Sequence, residues 1–416
     1  MTYVEFFSHS VAENICACLA RKPDRVILVG DKRKQLQNHA KRYTELFAER
    51  GQEIEFLWRS VNKNDMQSII TELSELVETY DDCVFDLTGG EDLYLVAMGI
   101  ISERYSARAL QMQRFNLHNG TVIDCDLDGQ VLQEMEMPQL SVEENIRFCG
   151  GQVLYGGENT YRWDMTQEFM EDIAVMWEIC CTGVRRWNAL IAVFAAADRL
   201  DTSADTPLQI TVQRELLGNS LWYADDDYVM ESGIAQMLQL TGMLTRCECD
   251  DTTLTLEFKN QQVRRVLTKA GNILELAVYL AALLSQDEDG PTYHDVMTGV
   301  SISWDGEQPE EEVDIRNEID VLLMRGMVPV FISCKNGTIE MEELYKLSAV
   351  ANQFGGNYGK KVLVATALDT MGNREAYIRA RAEDMDIRIL DNVHTMKFSE
   401  LIKTMKTLWK TSLTKK

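Results

Sequence analysis

Two apolar runs in the last quarter of the chain, NEIDVLLM and VPVFISCK, carry charges that apolar strands do not need: Asp320 in the first and Lys335 in the second. A carboxylate and an ammonium inside a sheet are costly unless they pair with each other or bind a cation. Side chains alternate faces along a strand, so Ser333 and Lys335 share one face of the second run, and Val330, Ile332 and Cys334 share the other. A two-residue turn at Arg325-Gly326 sets residue 324 against 327 and residue 320 against 331. Asp320, Ser333 and Lys335 then project from one side of the sheet. The turn sets this register, and a three-residue turn would break it. A structural ion pair is the competing reading of this hairpin.

A second group of residues lies near the N-terminus. FFSHSVAENI follows the first predicted strand, which puts Ser8, His9 and Ser10 at its carboxyl end and at the start of the next helix. Serine there caps the helix, and such a terminus also favours phosphate. DLTGGEDLY follows the fourth predicted strand, and Thr88, Gly89 and Gly90 open the helix after it. Paired glycines let a ligand approach the backbone closely. Lys32, in VGDK after the second strand, is read as a phosphate partner or as an ordinary exposed lysine. No GxGxxG or Walker A loop is present, which weighs against dinucleotide binding and ATP hydrolysis.

The elements that must position these residues follow from periodicity. Strand patterns at 3–7, 25–30, 53–58, 82–87 and 107–113 alternate with helical runs at 10–20, 33–50, 64–79 and 91–104. That alternation predicts βαβ units and a mostly parallel, doubly wound sheet, whose ligands bind beyond the carboxyl ends of the strands. Residues 116–150 read as a hairpin and connector, and CGGQVLYGG (149–157) as a linker. The run 164–200 reads as helical, with its Met, Trp and Phe stripe in a core. Residues 226–268 read as one helix followed by a hairpin, a helix-plus-wing pattern with an acidic tip, ECDD. From Gly271 a third unit begins. Its first helix has Ile273, Leu274, Ala277, Leu280, Ala281 and Leu284 at helical spacing, with Glu275 beside the stripe. An acidic loop (305–314), the charged hairpin, helices at 339–354 and 373–384, and strands KKVLVATA and IRIL complete a mixed α/β unit.

Composition bounds the function. With 416 residues the chain holds two or three domains. Its net charge of −25 excludes a broad basic coat for nucleic acid, though not a recessed site where metal ions carry the positive charge. The basic tail, with Lys403, Lys406, Lys410, Lys415 and Lys416, reads first as a solvated helix end and second as a contact for a nucleic-acid backbone. The ten cysteines lack paired CxxC motifs, so they predict reduced thiols rather than a zinc site. No apolar run spans a membrane and no secretory leader is evident, so a cytoplasmic protein is expected.

The motif EIDVLL…VFISCK, with Glu275 on a helix upstream, resembles the PD-(D/E)XK nuclease core. The resemblance implies Glu275 and Asp320 as ligands of Mg²⁺ or Mn²⁺, the Cys334 carbonyl as a backbone ligand, and Lys335 as the lysine that holds or activates water. Ser333 stands where the motif has Glu or Asp, and Glu340 or Glu343 on the following helix, or a water, is expected to fill that place. The two N-terminal loops on their Rossmann-like sheet resemble the CARF domain, the sensor of cyclic oligoadenylates in type III CRISPR antiviral defence. That likeness implies a ligand site built from Phe7, Ser8, His9, Ser10, Lys32, Thr88, Gly89, Gly90 and Glu91. Glu91 stands where this fold often has Thr or Lys.

Together these resemblances imply an α/β chain similar to the CARF-fused endonucleases: an N-terminal Rossmann-like CARF domain (1–150), a helical and winged-helix-like connector (151–268), and a C-terminal PD-(D/E)XK restriction-endonuclease-like domain (269–416). The implied activity is metal-dependent hydrolysis of phosphodiesters by a homodimer, allosterically activated by cyclic tetra-adenylate or, alternatively, cyclic hexa-adenylate. DNA nicking is the expected reaction, with single-stranded RNA a further substrate. The alternative is a non-enzymatic cyclic-nucleotide-sensing regulator with a degenerate nuclease lobe.

Overall fold

The computed structural model describes all residues except 109, 118–119, 127–128, 157–159, 202–207, 222–228, 270, 306–315, 369–371 and 411–416. The acidic loop from 306 onward and the end of the basic tail therefore lie outside the described residues.

The N-terminal unit is built as the alternation predicts, except that the strand expected at 107–113 begins only at Gln111, after a 3₁₀ turn at Ser106–Arg108. Strands β1 (Thr2–Phe6), β2 (Arg25–Gly30), β3 (Glu55–Ser60) and β4 (Cys83–Asp86) alternate with helices α1 (Val11–Arg21), α2 (Arg33–Glu49), α3 (Met66–Thr79) and α4 (Asp92–Arg104). The sheet continues through β5 (Gln111–Asn116), β6 (Thr121–Asp126) and β7 (Gly129–Glu134). Its order is β3-β2-β1-β4-β5-β6-β7, parallel as far as β5 and antiparallel in the last hairpin. Near-continuous apolar runs such as RVILVG suit strands covered on both faces. The strand order reverses between β1 and β4, the switch point where open α/β sheets leave a crevice.

The connector departs from expectation in several places. Helix α5 (Val142–Phe148) starts at a capping box of Ser141 and Glu144. The segment read as a linker then supplies β8 (Gln152–Leu154), which pairs with the C-terminal sheet. The run expected to be helical from 164 to 200 is two helices, α6 (Gln167–Cys181) and α7 (Val184–Leu200), bent by 118°. Gly183 lies between them, at φ −178° and ψ 80°. After β9 (Gln209–Gln213) and the short α8 (Arg214–Leu217), the helix expected from 228 shrinks to α9 (Ile234–Leu240). Strands β10 (Leu244–Cys249) and β11 (Thr253–Phe258) form the wing, with β9 as a third strand. The sequence QQVRRVL, read as part of the hairpin, is helix α10 (Gln261–Leu267), because the Asn260 side chain caps Val263 N–H at 2.9 Å.

The C-terminal unit holds α11 (Asn272–Leu283), the small pair β12 (Gln286–Asp287) and β13 (Gly290–Pro291), then β14 (Asp295–Ser303), β15 (Arg316–Arg325) and β16 (Val328–Lys335). Helix α12 (Met341–Gly355), β17 (Lys360–Ala365), α13 (Asn373–Asp384), β18 (Ile387–Leu390) and α14 (Phe398–Met405) follow. The sheet order is β18-β17-β16-β15-β14-β8.

Cores do not divide at 150 and 268. One face of the C-terminal sheet, with Val321, Leu323, Val330 and Ile332, packs with the connector and α11. The other, with Leu322, Met324 and Phe331, shares one apolar cluster with α12 and with α1 and α2 of the first unit. Among the described residues no helix is long and apolar enough to cross a membrane.

Candidate functional site

The hairpin of β15 and β16 turns one residue later than its sequence predicts. Arg325 pairs with Val328, so the turn is Gly326-Met327, with Gly326 at φ +60°. Arg325 is held in the strand by its guanidinium, which donates to Asp287 and to the Thr292 carbonyl. The later turn moves the pairing by two residues, which preserves parity, so Asp320 and Ser333 still meet.

The two strands then part. Their ladder ends at Val321 and Ile332, while β15 stays paired to β14 as far as Arg316 and β16 to β17 as far as Lys335. Within this fork the Asp320 carboxylate takes the place of the next ladder bond. It accepts Cys334 N–H at 2.5 Å and the Ser333 hydroxyl at 3.2 Å. The N–H and C=O of one strand residue point the same way, so Cys334 also turns its carbonyl toward the fork. On the other side of β15, Gly299 sits opposite Asp320 at φ +59°, and Thr298 Oγ1 donates to the Asp320 carbonyl at 2.9 Å.

Asp320, Ser333, Lys335 and Glu343 line one cavity of about 250 Å³. Lys335 Nζ lies 2.9 Å from Glu343 Oε2 on α12. Glu340 is turned away and pairs with Arg374 at 2.5 Å. Glu275 approaches from α11, on the opposite face of the sheet, and lines an adjoining cavity of about 30 Å³. Glu318 borders both cavities and pairs with Lys269 at 3.5 Å.

The charges at this site are unbalanced. Burial and then the neighbouring Asp320 charge push the Glu275 carboxyl above its ordinary range, against the pull of Lys269. Burial also raises Asp320, opposed by the Cys334 N–H and by Lys335. Burial disfavours the Lys335 ammonium, but Glu343 and Asp320 more than offset this and hold its pKa up. Among the described residues no three His, Cys, Asp or Glu side chains are preset around an ion. Two mutually repelling carboxylates beside a carbonyl nonetheless fit Mg²⁺ or Mn²⁺, since Mg²⁺ is commonly held by one or two carboxylates, with waters and phosphate oxygens completing the shell.

The N-terminal residues gather at the switch point, though several are already engaged. Ser8 donates to Glu13, and its backbone is clasped by Asn14 through two bonds of 2.7 Å. Ser10 occupies the N-cap of α1 without capping it; its hydroxyl is buried and unpartnered. Packing overrides capping there, because Ser10 lies against Gly356 of the C-terminal unit. Phe7 packs against His39 with ring centroids 4.9 Å apart and planes tilted by 58°, and His9 is exposed beside it. Burial first, then Arg42 and His9, lower His39 to about 4, so its ring is neutral. The Thr88 hydroxyl donates to Asp86 and accepts Phe115 N–H at 2.9 Å. Gly89 abuts the first loop so closely that an added Cβ would lie 2.6 Å from the Phe6 carbonyl. Gly90 is crowded by Leu95. Lys32 is exposed at the N-cap of α2.

Sequence reasoning missed Lys63, which follows β3 and bridges Glu91 at 3.3 Å and Asp31 at 4.0 Å. The carboxyl-end rule, applied to VNKND, would have found it. It also missed Glu5 and Asp86, register partners on the two central strands and both fully buried. Burial, against the Thr88 donors, lifts Asp86 to about 7, and burial with the Asp86 charge raises Glu5 well above its ordinary range.

Residues 260–408 match the family model described as Card1-like, endonuclease domain. A comparison with curated protein sequences finds no match. The structure of protein VC1899 from Vibrio cholerae superposes with a TM-score of 0.73 at 16% identity, covering 99% of this chain and 98% of that one. Can2 from Sulfobacillus thermosulfidooxidans, solved in complex with cyclic tetra-adenylate, superposes at 0.64 with 16% identity and 97% coverage of each chain. Residues 260–408 therefore resemble a Card1-like endonuclease domain, on a chain that shares the fold of VC1899 and of Can2 over nearly its whole length.

Proposed function

We propose that this protein is a metal-dependent endonuclease activated by a cyclic oligoadenylate in type III CRISPR defence. The observation that carries the reading is the fork, where Asp320, the Cys334 backbone and Lys335 converge beside Glu275. Glu275, Asp320 and the Cys334 carbonyl would hold Mg²⁺ or Mn²⁺. When bound, such an ion lowers the pKa of water and stabilises charge on the phosphate. Lys335 holds the attacking water in line and keeps its proton, since its neighbours favour the ammonium. Ser333 anchors Asp320 where the related motif has a second carboxylate, and Glu343 brings a carboxylate to the same cavity from α12.

The fork is recessed, so the strongly negative surface does not bar nucleic acid from the site once cations neutralise it. DNA nicking is the proposed reaction, with single-stranded RNA a second substrate. For the sensor, the activator is cyclic tetra-adenylate, the ligand present in the Can2 complex, with cyclic hexa-adenylate as the alternative. Phe7, His9 and the neutral His39 offer faces on which adenine can stack. A homodimer is supported by α4, whose Leu93, Val96 and Ile100 are exposed on one stripe around Gly99. All ten cysteines are free thiols, as suits the cytoplasm.

The test is nicking of supercoiled plasmid with Mn²⁺, with and without cyclic tetra-adenylate. Ring-dependent nicking that disappears in Asp320→Ala and Lys335→Ala supports the reading. Wild-type rates in both variants would overturn the site. Ser333 favours a second reading, a ligand-sensing regulator with a degenerate nuclease lobe; it predicts ring binding with no nicking by the wild-type protein and no Mn²⁺-dependent stabilisation.

A further inference from the structure

Helix α12 touches both candidate sites. Near its start, Glu343 holds Lys335 at 2.9 Å. At its end, Gly355 packs against the ring of Phe331, on the same strand as Lys335. Immediately beyond, the chain presses on the sensor loop. A Cβ added to Gly356, at φ +52°, would lie 2.7 Å from Ser10 Oγ. Asn357 Nδ2 donates to Glu13 Oε1 at 3.2 Å, while the other Glu13 oxygen accepts from Ser8. From Glu343 to Gly355 the helix rises about 18 Å without a break.

We infer that α12 is the relay between the sensor loop and the catalytic lysine, with Asn357 as its sensor-side contact and Glu343 as the positioning residue for Lys335. This rests on the function proposed above. A ring that rearranges Ser8 must also rearrange Glu13, because Ser8 and Asn357 share its carboxylate. That displaces the end of a rigid helix whose start fixes Lys335. The core on this side of the sheet is continuous from α1 through α12, so the movement is transmitted by packed side chains rather than by a flexible linker. Neither Gly356 nor Asn357 lines the fork cavity, so altering them leaves the catalytic groups in place.

The test uses the full chain and the variants Asn357→Ala and Asn357→Asp. The second is nearly isosteric and sets a like charge against Glu13. Ring affinity is measured by calorimetry, and plasmid nicking with Mn²⁺ is measured with and without the ring. Typical couplings between sites are five- to 150-fold. Asn357→Asp is expected to keep the ring-free rate and ring affinity while losing about tenfold of the ring stimulation, and Asn357→Ala about threefold. Full stimulation in Asn357→Asp, beside a stimulated wild type, overturns the relay and leaves the proposed function standing. An unstimulated wild type removes both. Hydrogen exchange in the wild type needs no variant: the ring is expected to change protection across 341–355, and unchanged exchange there, with the ring bound, also overturns the relay.

Discussion

The N-terminal crevice and the C-terminal fork are both places where carboxylates crowd the end of a sheet, yet they are finished differently. In the crevice, donors of the chain itself engage Asp86 and Glu13: Thr88 serves Asp86 through its amide and hydroxyl, and Ser8 and Asn357 serve Glu13, while Glu5, buried beside Asp86, keeps one carboxyl oxygen without a partner. In the fork, Asp320 is served by Ser333 and the Cys334 amide, but Glu275 is set against it with its pKa raised. The first arrangement fixes a loop; the second, on the function proposed above, leaves repulsion for a cation to relieve. Burying like charges together is unfavourable, and chains keep such arrangements where function needs them.

The largest effect that tests this contrast is catalytic. Lys335→Ala and Asp320→Ala are each expected to lower the nicking rate by about 100-fold or more, and chelation with EDTA to abolish it. The same assay on Thr88→Val should show nicking retained at saturating ring, because Thr88 serves the fold. Its cost appears instead in urea denaturation, about 1–3 kcal/mol for removing the hydroxyl donor to Asp86 and leaving the Phe115 amide unserved.

A smaller effect is the pH dependence of metal-free stability. Folding raises the pKa values of Glu275 and Asp320, so the folded state keeps protons that the unfolded chain releases above about pH 4. Stability therefore falls as pH rises from that point until the folded carboxyls ionise. The thermal midpoint in EDTA is expected to drop between about pH 5 and pH 8, and the stabilisation by Mn²⁺ to grow over the same window. Asp86 and Glu5 slope the same way, so Glu275→Gln separates the two regions: it should flatten the Mn²⁺ effect while leaving the part that belongs to the crevice. A Mn²⁺ shift independent of pH would show the fork is not a site of repelling carboxylates.

The smallest effect belongs to Lys63. Its partners Glu91 and Asp31 are partly exposed, so Lys63→Ala should change stability by no more than about 0.5 kcal/mol. If Lys63 faces the ring's phosphates, the same variant weakens ring binding about threefold or more, read by calorimetry and reduced by added salt.

Much of this was legible before any coordinates. The alternation of apolar strands and amphipathic helices fixed the parallel sheet and its switch point, because period and turn chemistry are local properties of the chain. Asp320 and Ser333 keep to one face although the turn is Gly326-Met327 and not Arg325-Gly326, since the register shifts by an even number. Three-residue β8 had no such signal; it is a strand because β14 offers an open edge. Likewise QQVRRVL gave too few turns to separate from a strand, and the Asn260 cap decided it.

By itself the sequence determined which residues can bear charge, on which side of a strand they stand, and the order of elements that carry them. Tertiary structure alone decided that β15 and β16 part at Asp320, that Glu275 arrives from the opposite face, and that Ser10 meets Gly356 instead of capping its helix. The physical reason is range. Periodicity and capping act over a few residues, whereas burial, repulsion and shared cores depend on segments hundreds of residues apart that meet only when the chain has folded.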